Sequence, residues 1–314
     1  MNKSEFISFL KTKRSCSDSS CTTHYFNIRR LMRLAEVQND KIPKNVRWVK
    51  PLLYKKIEDL TLITKRNLLA SLVSFMRSVD GPKKKIEKAT KEMKIIAEKV
   101  EERNRTQTKT PKQLANWIDW DKILDLFKSI SKDIRNRRLW AKEHISKHDR
   151  RQLENVLILG FHGVFLPPGR LEAASLVFVN RGSKSKPNTI YKDKGGFVME
   201  ISQSKTTKFH GKLVQRLPIQ LARILKKYIN RFEISPGENI FQTSTGRPYT
   251  RKMYSRRVQS IFHEAFNKNI GVSLLRSIYL SDFHKNTPSL QKMLSTAKTM
   301  QHTIKTSLEN YVKK

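Results

Sequence analysis

The stretch Phe197-Val198-Met199-Glu200-Ile201-Ser202, running straight into Gln203-Ser204-Lys205-Thr206, is a run of β-forming residues in a chain whose patterning is otherwise helical. Aromatic and β-branched residues at this density favour an extended strand. On its N-terminal side Gly195-Gly196 supplies a turn, and Thr189 to Lys192 and Leu176 to Asn180 are two more short β-forming runs. On its C-terminal side Leu213 to Leu217 reads as a further strand before Pro218 opens a helix through Ile219, Leu221, Ala222, Leu225 and Ile229. Helical patterning resumes from Thr250, with breaks near Gly271 and Pro288. The expected fold class is mainly α with a small antiparallel β-sheet (α+β).

Upstream, residues 1 to about 110 read as helical. Thr22 or Thr23 can cap a helix bearing Phe26, Ile28, Leu31, Leu34 and Ala35. Thr64 can cap a second with Leu68, Leu69, Leu72, Val73, Met76 and Val79, stopped by Asp80-Gly81-Pro82. A third carries Ile86, Ala89, Met93, Ile96 and Val100 on one stripe, with Lys and Glu elsewhere. From Arg105 to Gln113 the chain lacks apolar residues and contains Pro111, as a linker does. Beyond it, Trp117, Trp120, Ile123, Leu124 and Phe127 begin a new pattern. Asp149 can cap a buried helix through Leu153, Val156, Leu157, Phe161 and Val164, which Pro167-Pro168-Gly169 ends. This predicts a helical N-terminal domain over 1–108 and a second domain, mainly helical with the small sheet inserted, over 109–314.

Lys+Arg of 64 against Asp+Glu of 27 gives a net charge of +37 over 314 residues, more than solubility requires. A field of that sign attracts polyanions, and arginine is abundant beside the lysine, so nucleic acid is the expected partner and no membrane. The longest apolar stretch, Val156 to Phe165, is too short and interrupted to span a bilayer, and no signal peptide is visible, so an intracellular protein is expected. Cys16 and Cys21 form Cys-x4-Cys-x2-His with His24, three potential zinc ligands without a fourth. Two free thiols in a reducing compartment are expected instead, with no metal.

Cleaving a phosphodiester without a metal requires a nucleophile, cations on the non-bridging oxygens and an acid for the departing 5′ oxygen. Arginine suits the phosphate because its planar fork donates parallel hydrogen bonds and stays charged. Lysine can give up a proton when other cations lower its pKa. Tyrosine, with a reference pKa near 10, needs nearby positive charge to become a competent nucleophile.

Residues of these types occur in a recognisable order. Arg170 follows Leu166-Pro167-Pro168-Gly169 and precedes Leu171-Glu172-Ala173-Ala174-Ser175-Leu176. Lys205 lies in Ser204-Lys205-Thr206, directly after the predicted hairpin. Arg276 lies in Ser273-Leu274-Leu275-Arg276-Ser277-Ile278-Tyr279. His302 precedes Tyr311 by nine positions, and Arg276 precedes Tyr311 by 35. Over roughly residues 112 to 314 this order resembles the tyrosine recombinase/integrase superfamily, and the Leu-Pro-Pro-x-Arg form is similar to members from large DNA viruses and eukaryotic mobile elements.

The resemblance implies a two-domain DNA clamp, a helical core-binding domain joined to a catalytic domain, acting as a site-specific recombinase on double-stranded DNA without metal, ATP or other cofactor. Arg170 and Arg276 would grip the scissile phosphate, Lys205 would protonate the 5′ oxygen, His302 would hydrogen-bond a phosphate oxygen, and Tyr311 would form a 3′-phosphotyrosyl bond. It further implies a homotetramer on synapsed DNA, a monomer or dimer off DNA, and integration or resolution of a viral or mobile genome in a host nucleus or viral factory.

Two departures stand out. Where many members carry His or Lys three positions before the second arginine, this chain has Ser273, a poor acid or base at neutral pH. Base assistance would then fall to water or His302, with Lys208 a rival to Lys205 for the acid role and His263 and His284 read as ordinary helix histidines. Only Val312-Lys313-Lys314 follow Tyr311, whereas many relatives continue into a helix that docks on a neighbour, so either the nucleophile-bearing helix is exchanged or assembly uses other surfaces. The competing readings are strand relaxation of the type IB topoisomerase kind and a catalytically inactive DNA-binding protein of the same fold.

Overall fold

A computed structural model describes residues 1–183 and 187–314, and it divides the chain into two compact units, Met1–Thr106 and Gln107–Lys314.

The first unit is five helices: α1 (Lys3–Arg14), α2 (Asp18–Leu34), α3 (Pro51–Lys56), α4 (Leu62–Ser78) and α5 (Lys83–Arg105). α4 packs against both α2 and α5, and α1 lies on α2. Phe6, Leu10, Ile28, Leu31, Leu68, Leu72 and Phe75 fill the space between them. Each such side chain, fully buried, contributes about 1.5–3 kcal/mol. Two helix starts differ from expectation. Ser17, not Thr22 or Thr23, caps α2, accepting the Ser20 N–H. Thr61 caps α4 by accepting the Thr64 N–H, so Thr64 stands inside the first turn.

The earlier start of α2 has a chemical consequence. It places Cys16 just before the cap and Cys21 at the fourth helical position, the pair of sites that meet across a helix entry. Cys16 and Cys21 form a disulfide, against the expectation of free thiols. His24 bonds Ser71 Oγ at 2.9 Å instead of completing a ligand set.

The second unit begins where a linker was expected. α5 continues to Arg105, and Thr110-Pro111 starts α6 (Pro111–Asn116), because Thr110 and Gln113 form a reciprocal capping box with proline at the first helical position. α7 (Trp120–Asn136) and α8 (Lys147–Leu159) follow. α8 is capped by Ser146, with Asp149 three residues on returning the bond to the Ser146 N–H. After Leu159 the chain makes a wide turn over Gly160–Val164, kinked at His162 and Gly163, where Gly163 takes φ 126°. The Trp120 ring fills the place a Cβ at 163 would occupy, with its nearest carbon 2.1 Å from that position.

The sheet is β1 (Val177–Val179), β2 (Asn188–Asp193), β3 (Gly196–Ile201) and β4 (Leu213–Arg216), in that spatial order. β2, β3 and β4 pair antiparallel as expected, but β1 pairs parallel to β2, so the sheet is mixed. The β2–β3 turn is clamped by Asp193, which accepts the Gly195 N–H and both Arg216 nitrogens; these partners, the guanidinium foremost, hold its pKa down at about 2. Between β3 and β4 runs the short α9 (Thr207–His210). Five helices complete the unit: α10 (Ile219–Arg231), α11 (Arg251–Phe266), α12 (Val272–Lys285), α13 (Leu290–Thr299) and α14 (Ile304–Thr306), the last passing into a π-turn over Ser307–Tyr311. The core beneath includes Leu153, Leu157, Ile190, Leu221, Leu225, Phe241, Phe262 and Leu275. Among the described residues no helix is long and apolar enough to cross a membrane.

Candidate active site

Arg276 leaves the middle of α12 and is only 1 % exposed, the largest of the fully buried side chains. Its two terminal nitrogens donate to the Pro168 carbonyl at 2.8 Å and the Met300 carbonyl at 3.3 Å, which fixes the guanidinium plane against two loops. The Tyr311 ring lies against the face of that plane, 4.7 Å from ring centroid to guanidinium carbon. Burial makes this arginine less basic, the tyrosine opposes that effect and neighbouring Arg170 adds to it. It still stays protonated at any working pH.

His302 also meets the tyrosine. Its ring stacks on Tyr311 with centroids 5.5 Å apart and planes 28° from parallel. Burial foremost, with Arg276, Arg170 and His210 adding to it and the Thr303 carbonyl opposing, lowers its pKa to about 4. The imidazole is therefore neutral near pH 7. Its Nδ1 proton goes to the Thr303 carbonyl at 3.0 Å, leaving Nε2 as a buried lone pair with no partner in the protein.

Arg170, on the loop after the kinked turn, donates to Thr206 Oγ1 at 2.9 Å. The same hydroxyl donates to the Gln301 carbonyl at 3.2 Å. Gln301 adopts left-handed backbone (φ 50°), which costs a non-glycine residue about 1 kcal/mol, and the residue is 6 % exposed. One hydroxyl thus links the Arg170 loop, the exit of the hairpin and the segment carrying His302.

Arg170, Arg276, His302 and Tyr311 form one connected cluster. Lys205 is less engaged: it occupies the turn between Ser204 and Thr206, so its backbone adjoins the Arg170 partner, while its side chain points to solvent. Lys208 on α9 is exposed too. Ser273 is exposed one turn before Arg276, and only its carbonyl is engaged, accepting the Ser277 hydroxyl at 3.4 Å. His284 meets Ser307 Oγ at 3.2 Å. Tyr311 sits on the π-turn, not on a long helix. The chain after it runs back along its own unit, with Lys313 N–H donating to Ser281 Oγ on α12 at 2.7 Å.

Several residues that the sequence did not single out line the site. His162, in the kinked turn, is buried and bonds Tyr254 Oη at 3.0 Å through Nε2; burial and the nearby Arg276 lower its pKa to about 4. Glu172, 7 % exposed, lies 3.8 Å from Arg251. His162, Arg170, Glu172, Met300 and Gln301 line one small cavity, and Gln301 also borders a groove with His302, His210, Lys212 and Lys305. Among the described residues, seven buried side-chain nitrogens and oxygens lack a hydrogen-bond partner. Five belong here: His162 Nδ1, Glu172 Oε1, Arg276 Nε, Gln301 Nε2 and His302 Nε2. Unpaired buried polar atoms each cost about 1–3 kcal/mol, so their concentration in one place marks a site shaped for a polar ligand.

No protein-family model and no curated protein sequence matches the chain. Solved structures with which it aligns include that of XerA recombinase, at 12% identity over 96% of this chain and 91% of that one, TM-score 0.39. Another is XerH site-specific recombinase bound to difH substrate in a pre-cleavage complex, at 14% identity over 98% and 80%, TM-score 0.49. A third is the Tn1549 transposon integrase in complex with transposon right end DNA, at 12% identity over 98% and 94%, TM-score 0.41.

Proposed function

We propose that this chain is a tyrosine recombinase, which cleaves and rejoins double-stranded DNA through a 3′-phosphotyrosyl intermediate. The observation that carries this reading is the Arg276–Tyr311–His302 cluster, a phenol in contact with a buried guanidinium and a neutral imidazole, with Arg170 tied through Thr206 to Gln301, the residue before His302.

In the proposed reaction, Arg170 and Arg276 donate to the non-bridging oxygens and stabilise the charge that builds on them. Tyr311 Oη attacks phosphorus, and its proton passes to His302 Nε2, whose lone pair is free in the unliganded site. The P–O5′ bond breaks, and Lys205 gives its proton to the departing oxygen. The products are a phosphotyrosyl ester and a free 5′ hydroxyl, so one phosphoester replaces another and a 5′ hydroxyl from a second duplex can reverse the attack without ATP. The imidazolium formed on His302 becomes a donor and can then bond the phosphate. This assigns to His302 the proton-accepting duty that Ser273 cannot perform. The two arginines supply the positive charge, with no metal invoked. A homotetramer on synapsed DNA, and a viral or mobile genome as the substrate, complete the reading. The second of these rests on the Leu166-Pro167-Pro168-Gly169-Arg170 form alone.

The test is a nicked suicide duplex labelled on the scissile strand. Wild-type protein is expected to give an SDS-resistant adduct, and Tyr311→Phe to give none while binding the same duplex as tightly. Absence of an adduct from the wild type across a substrate panel leaves only a DNA-binding protein. An adduct with relaxation of supercoiled plasmid but no two-duplex product means strand relaxation.

A further inference from the structure

We propose that Gln301 is a further substrate-contacting residue, its side-chain Nε2 donating to a non-bridging oxygen of the scissile phosphate. This rests on the recombinase reading for the identity of the substrate, but not for the polar contact itself.

The residue is held in a way that makes its side chain worth explaining. Its backbone is left-handed, a conformation glycine adopts without strain, and its carbonyl is occupied by Thr206 Oγ1. The main chain alone would meet that structural need with glycine. The residue is nevertheless only 6 % exposed, it lines both the cavity that Arg170 lines and the groove that His302 lines, and its buried Nε2 has no hydrogen-bond partner in the protein. A buried amide donor left unpaired is unfavourable unless a ligand completes it.

The neighbouring groups indicate which ligand. Arg170 reaches the Gln301 carbonyl through one hydroxyl and shares a cavity with the Gln301 side chain, and Arg276 bonds the Met300 carbonyl one residue earlier, so guanidinium groups flank the Met300–Gln301 main chain. Such surroundings select an anion. His302, the adjacent residue, spends its Nδ1 proton on Thr303 and presents an acceptor toward the site. Before proton transfer, then, the donor beside His302 that is buried and has no hydrogen-bond partner is the Gln301 amide. The alternative partner for the amide is Glu172 Oε1 in the same cavity, which has an ion pair with Arg251 but no hydrogen bond, and the amide would then be a purely structural link.

Two measurements separate these roles. Gln301→Gly keeps the backbone conformation and removes the amide. It is expected to slow adduct formation on the suicide duplex by about 100-fold, as loss of one transition-state donor does. On duplexes carrying a single methylphosphonate at the scissile position, one diastereomer should show wild type and variant reacting at similar rates, because the oxygen the amide contacts is gone. Equal slowing on phosphate and both methylphosphonates, or no slowing at all, overturns the proposal. Independently, the 15N-labelled Gln301 amide resonance, identified by its loss in Gln301→Gly, should shift on titration with orthovanadate, and an unmoved resonance counts against the contact. The two readings fail differently. A wild type that forms no adduct but whose amide responds to vanadate removes the recombinase assignment and keeps the anion contact. A wild type that cleaves, beside a Gly variant of equal rate and a silent amide, removes the Gln301 assignment alone.

Discussion

At the scale of single residues, chemistry dictates which positions can be read from sequence. Arg276, His302 and Tyr311 stand out because their order and spacing resemble a family's motif, and the fold brings their three side chains into contact. Gln301, His162 and Glu172 do not, since nothing in a linear string says that a glutamine is buried with its amide unpaired or that a histidine shares a cavity with an arginine. The two buried histidines carry a testable signature. His162 and His302 protonate near 6.5 in the unfolded chain and at about 4 in the fold. Below the higher value the unfolded chain takes up protons that the folded chain does not, so stability is complete above about 6.5 and falls as pH drops toward 4. Denaturant midpoints measured between about pH 6.5 and 5, where most carboxylates stay ionised, are expected to decline. They should decline less in His162→Gln. Midpoints that stay level across that window would contradict the burial-driven shifts.

At the scale of elements, types were legible and starting points were not. Apolar periodicity gave the longer helices of both units but not α1, α3 or α6, and the β-forming runs around Gly195-Gly196 gave the hairpin, because both signals need to be spread over many residues. Caps depend on one hydroxyl among several nearby: Ser17 rather than Thr22, Thr61 rather than Thr64, Ser146 rather than Asp149. Mistaking the first of these hid the disulfide, since Cys16 and Cys21 meet only if the helix begins between them. The parallel placement of β1 was hidden too, because strand runs carry no information about partner direction. The kinked turn over Gly160–Val164 offers the sharpest element-level test. Gly163→Ala must abandon φ 126° or displace the Trp120 ring, and is expected to cost roughly 3 kcal/mol, read as a lower thermal midpoint. A variant as stable as wild type would show that the turn adopts another conformation.

At the scale of the whole molecule, the charge of +37 is the property most open to direct measurement. Binding that neutralises six to ten phosphates loses affinity by about 10³ to 10⁵ between roughly 50 and 200 mM salt, and this chain is expected to fall in that range on duplex DNA. A shallow salt slope in fluorescence anisotropy would mean that its positive charge serves something other than the DNA backbone. Composition raises the expectation of a polyanionic partner, but it could not have revealed how the candidate site coheres. That depends on the Thr206 hydroxyl, which joins stretches of chain separated by 36 and 95 positions. Arg276 ties two of the same stretches through the Pro168 and Met300 carbonyls, but Thr206 alone adds the exit of the hairpin by a side-chain bond to both. A lesion there would loosen remote segments together, so disturbances that begin far apart along the polypeptide would produce one common defect.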